Sequence, residues 1–88
     1  NAGLSGIGLT VYPNPNSGQF VMQLDLDHGL EVKMRIFDLV GKQVWSRNAE
    51  LPYGEFKQAV DLSSLSNGTY LIEILTEEGR LSRKVVIQ

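Results

Sequence analysis

Apolar side chains recur at every second position in three stretches: Phe20, Met22, Leu24 and Leu26; Val32, Met34 and Ile36; and Tyr70, Ile72 and Ile74. An extended chain sends successive side chains to opposite faces, so this period predicts strands with one face on a core. Further apolar and β-branched runs bring the predicted strands to seven, at residues 9–12, 19–26, 30–39, 43–47, 56–62, 69–76 and 80–87. Val44, Phe56, Val60, Leu62 and Leu65 complete the expected core. The last run adds either Val85 and Ile87 or Val86, a register that the pattern leaves open.

Clusters of Gly, Pro, Asn, Asp and Ser separate the runs. Gly41, within residues 38–42, and Gly79, within residues 77–80, stand where a tight hairpin needs a positive φ. Residues 61–68 are rich in short oxygen-bearing side chains that bond nearby backbone donors, which predicts a tight turn or a single helical turn. Short strands at this spacing predict an all-β sandwich or barrel.

Composition narrows the picture. Eighty-eight residues form one domain with a thin core, burying about 60–65% of the unfolded surface. Eight basic residues dispersed among ten acids give a net charge of −2, which argues against nucleic acid as a partner. The chain has no cysteine, so disulfides, thiol catalysis and thiolate metal sites are excluded, while the compartment stays open. Its longest apolar runs fall far short of the roughly 20 residues of a membrane helix, and its start does not read as a secretory signal. Residues 1–8 hold three glycines and a serine and read as a flexible linker ahead of a folded unit at 9–88, as at the end of a longer protein.

Candidate chemistry is sparse. His28, the one histidine, sits in Asp27-His28-Gly29 without a nucleophile or further nitrogen ligands in its pattern, and reads as a turn residue. Asp25, Asp27 and Asp38 could gather calcium ligands, although the spacing of a helix-loop-helix site is missing. Gly3, Gly6 and Gly8 lack the strand and helix of a nucleotide-binding turn. No catalytic set and no cofactor site emerges. Alternation turns Val21, Phe37, Leu71 and Leu75 outward beside Lys33, Arg35 and Glu73, which makes them a candidate docking patch; the simpler reading leaves them under loops. Trp45 has the same two readings.

Four stretches, taken in order, resemble the C-terminal sorting domain of proteins exported by the type IX secretion system of Bacteroidetes. The resemblance covers about residues 9–88. The first stretch is Tyr12-Pro13-Asn14-Pro15-Asn16-Ser17-Gly18-Gln19-Phe20, and the second runs from Met34 to Val44 with Asp38, Gly41 and Lys42 at its turn. The third runs from Asp61 to Ile72 and includes Leu65, Gly68 and Tyr70; the last is Lys84-Val85-Val86-Ile87.

The resemblance implies an immunoglobulin-like β-sandwich of about seven antiparallel strands that serves as an address label rather than an enzyme. It implies transit of the periplasm, then the cell surface or medium. The implied partners are an upstream cargo domain, the outer-membrane translocon with its shuttle proteins, and a sortase-like peptidase that removes the label and anchors the cargo. Lys84, Val85, Val86, Ile87 and Gln88 are the expected translocon-recognition segment, because a last strand at a sheet edge offers free backbone groups. Such an edge also allows a homodimer. The alternative is a carbohydrate-binding or adhesive sandwich with Trp45, Tyr53 and Phe37 as a sugar platform.

Overall fold

The computed structural model describes residues 6–88. Strands β1 (Ile7–Tyr12), β2 (Gln19–Leu26) and β5 (Gly54–Asp61) form one sheet in the order β1-β2-β5. Strands β3 (Leu30–Phe37), β4 (Gln43–Leu51), β6 (Gly68–Thr76) and β7 (Gly79–Ile87) form the other in the order β4-β3-β6-β7. Every neighbouring pair of strands is antiparallel, and no helix occurs among the described residues. The architecture is an immunoglobulin-like β-sandwich.

The alternating apolar sets form its core. Met22, Leu24, Val32, Met34, Ile36, Ile72 and Ile74 are fully buried, and Phe20, Leu26 and Tyr70 nearly so. Pairing resolves the last strand: Val85 lies opposite Tyr70 and Ile87 opposite Gly68, so these two face inward and Val86 outward.

Several boundaries differ from the sequence reading. β1 begins at Ile7, inside the expected 1–8 linker, and the Asp27 N–H bonds the Gly6 carbonyl at 3.0 Å; residues 1–5 lie outside the described residues. β3 stops at Phe37 rather than residue 39, because Asp38 turns the chain. β4 runs on to Leu51 instead of ending at Arg47. Arg47 interrupts its apolar alternation, yet pairing holds Trp45, Arg47 and Ala49 opposite Ile36, Met34 and Val32.

That register also decides between the two readings of Trp45 and refines the place of Val44. A bulge between Ile36 and Phe37 leaves Val44 as the extra residue and places Trp45 on the inner face. Both are partly buried against the core.

Because the strands alternate in direction, the loops sort to two ends. Residues 13–18, 38–42 and 62–67 and the terminus after β7 share one end; Gly6, residues 27–29, 52–53 and 77–78 share the other. The first may be called the motif end, since every stretch of the resemblance meets there, and the second the entry end.

Candidate functional site

At the motif end the first and last motif stretches are bonded to each other. Asn16 donates its backbone N–H to the Val86 carbonyl at 3.0 Å and accepts the Gln88 N–H at 2.8 Å. Asn14 adds side-chain bonds, from Nδ2 to the Lys84 carbonyl at 3.2 Å and to Oδ1 from the Val86 N–H at 3.0 Å. These four bonds occupy the outer edge of β7 from Lys84 to Gln88, so the expectation of free backbone groups there is corrected. What remains outward is the exposed side chains of Lys84 and Gln88 and part of Val86. Val85 and Ile87 are core residues.

Asn16 is the residue that the sequence reading undervalued. It is 9% exposed, and its side chain is spent internally: Nδ2 donates to the Pro13 carbonyl at 2.9 Å while Oδ1 accepts the Gly18 N–H at 2.8 Å. The Asn-x-Gly spacing was its available signal, since an Asn side chain bonds the backbone two residues on. Pro13 and Pro15 lack donors and suit this non-strand segment. Gly18, at φ +111°, crosses the 62–67 turn so closely that a Cβ would lie 2.6 Å from Ser63 Cα; its carbonyl accepts the Leu62 N–H at 2.6 Å.

The other motif residues shape the same end. Asp38 Oδ1 accepts the N–H groups of Val40 and Lys42 at 3.0 and 2.9 Å, and its backbone pairs with Lys42 and Gly41. Gly41 takes φ +91°. At the tip of this hairpin Leu39 and Val40 are 75% and 89% exposed. In the next loop Asp61 Oδ1 accepts the Ser63 hydroxyl at 2.6 Å and its N–H at 3.0 Å, which holds the Asp61 carboxyl below its ordinary range. Leu65 closes a tight turn through its N–H to the Leu62 carbonyl at 2.9 Å and packs half-buried on the core. Tyr70, just after Gly68, fills the core with its ring while its hydroxyl donates to the Ser66 carbonyl at 2.7 Å. A tyrosine bonded back to its own preceding loop is the corner device of immunoglobulin-like folds.

The four expected docking residues separate. Phe37 and Leu71 are opposite each other on the outer face of the four-stranded sheet, and Leu75 lies on that face toward the entry end. Val21 belongs to the other sheet, opposite Tyr12 and Ala59. The sugar platform separates further: Trp45 faces inward, Phe37 outward, and Tyr53 stands at the entry end.

The candidate ionic residues are likewise apart. Asp25 and Asp27 lie at the entry end and Asp38 at the motif end, and among the described residues no three His, Cys, Asp or Glu side chains are placed so that they could hold a metal ion. His28 bridges Asp27 (Nδ1 to Oδ1, 2.5 Å) and Glu78 (Nε2 to Oε2, 2.9 Å), joining two turns of the entry end. The Glu78 bond, then the Asp27 bond, raise the imidazole above its ordinary pKa.

The motif residues of this two-sheet sandwich thus build one end of the fold. The profile of the family described as the secretion system C-terminal sorting domain matches residues 10–88. The chain belongs to that family, and it is a C-terminal secretion signal domain of type IX export, which directs proteins to the cell surface or beyond. Such a domain interacts with the secretion machinery. Among solved structures the chain is similar to the C-terminal domain of wzt, with 14% identity, a TM-score of 0.49, and coverage of 98% of this chain and 74% of that one. No curated protein matches it in sequence.

Proposed function

We infer that the domain is read as a folded body through its motif end while its cargo extends from the entry end. The outer-membrane translocon and its shuttle proteins engage it from the periplasm, with the exposed side chains among residues 84–88 in the contact. A sortase-like peptidase then cuts in or before residues 1–8 and anchors the cargo at the surface, so the domain is a substrate and not a catalyst. The observation that carries this reading is the convergence of all four motif stretches on the end opposite Gly6. That arrangement leaves the motif end unobstructed by whatever precedes the domain.

The test is export of a fluorescent reporter placed ahead of residues 1–88 in a host with and without the translocon. Surface reporter that depends on the translocon is expected. Reporter retained in the periplasm of both hosts overturns the reading.

A further inference from the structure

The outer face of the four-stranded sheet carries a row of side chains across its strands at the motif end. Pairing sets Phe37 of β3 opposite Leu71 of β6, and Leu71 opposite Lys84 of β7; Thr69 faces Val86 one row nearer the end. Phe37 and Val86 are half-buried, and Leu71 is 37% exposed. Just past Phe37 in the chain, the Asp38-locked hairpin presents the exposed Leu39 and Val40 at its tip. Strands lie about 4.8 Å apart, so the row from β3 to β7 is only about 10 Å wide. Lys42 stands beside the tip and Lys84 at the far side, and neither has an ion-pair partner among the described residues.

We propose that Leu39, Val40, Phe37, Leu71 and Val86, with Lys42 and Lys84 at the two ends of the row, form the surface on which a protein of the export machinery docks. The partner meets it with an apolar strip bordered by carboxylates. This rests on the sorting function and names the surface that serves it.

The occupant follows from size, charge and placement. Two aliphatic tips and a short row cover far less than the roughly 1,200–2,000 Å² of a standard stable interface, which suits a transient encounter rather than a lasting dimer. Two copies joined through this row would also set lysine against lysine in either orientation, and like charges across an interface disfavour association. The preceding chain enters at the opposite end of the fold. A turn already fixed by Asp38 loses little freedom on binding, which favours a protein reader of its exposed tip.

The full chain fused to a reporter provides the test, with surface display and thermal melting read together. Leu39→Ser/Val40→Ser should cut display at least about tenfold, a loss typical of one contact hot spot. Melting should stay within about 2 °C, since both side chains are already in water. Lys84→Glu should reduce display as well. Tyr53→Ser, at an equally exposed residue of the entry end, should leave it unchanged. Parental display of the Leu39/Val40 variant, an equal loss with Tyr53→Ser, or a dimer of the purified domain that Leu39→Ser/Val40→Ser dissolves would each overturn the proposal. A parent fusion that is never exported would instead overturn the sorting function on which it rests.

Discussion

Gly18 and Gly41 both adopt positive φ, +111° and +91°, but their surroundings differ. A Cβ on Gly18 would press into Ser63 backbone, whereas one on Gly41 meets nothing within 4 Å. Gly18→Ala should therefore cost on the order of 2–4 kcal/mol, strain plus overpacking, and Gly41→Ala about 1–2 kcal/mol from the backbone alone. Urea denaturation of the two variants measures the difference; equal losses would refute the close approach. Asn16→Ala leaves the buried Gly18 N–H without its acceptor, at a cost of about 1–3 kcal/mol by the same measurement.

His28 gives a pH prediction of defined sign. Its imidazole is raised by Glu78 and Asp27, so the folded state binds the proton more tightly than the unfolded one. The resulting stability is complete below the unfolded value of about pH 6.5 and is lost as pH rises through the higher folded value. NMR titration should find the folded pKa above that of an unfolded peptide, and Glu78→Gln should lower it. A pKa unmoved by that substitution would remove the bridge.

At the scale of elements, β7 both completes the core and carries the exposed terminus. Deleting residues 84–88 removes the fully buried Val85 and Ile87; each large-to-small loss in a core costs about 2–5 kcal/mol, comparable in sum to the whole stability of a small domain. The truncated domain is expected to lose its cooperative melt by circular dichroism. Export failure in that truncation therefore reports unfolding, and only substitutions at exposed positions such as Lys84 isolate recognition. A truncated domain that still melts cooperatively near the parental temperature would contradict the inward register of β7.

Over the whole molecule the two ends have different character. Asp25, Asp27, Glu31, Glu50, Glu77 and Glu78 lie at or near the entry end together with His28 and Arg80, while Asp38 and Asp61 lie at the motif end with Lys42 and Lys84, which have no ion-pair partner among the described residues. A protein fused ahead of the domain should leave its melting temperature unchanged.

The seven strands and most of their inward residues were legible in the sequence because alternation on a half-buried sheet is a local pattern, carried by neighbours such as Met22 and Leu24 or Ile72 and Ile74. The motif glycines and Asp38 were legible for the same reason, as turn chemistry acts within a few residues. Tertiary structure alone decided the rest. Whether Val85 or Val86 faces inward depends on pairing with β6, and Trp45 turns inward through a bulge opposite β3. The sealing of the β7 edge joins Asn14 and Asn16 to residues 70 or more positions later, and hydrogen bonds at that separation leave no periodic trace in the chain.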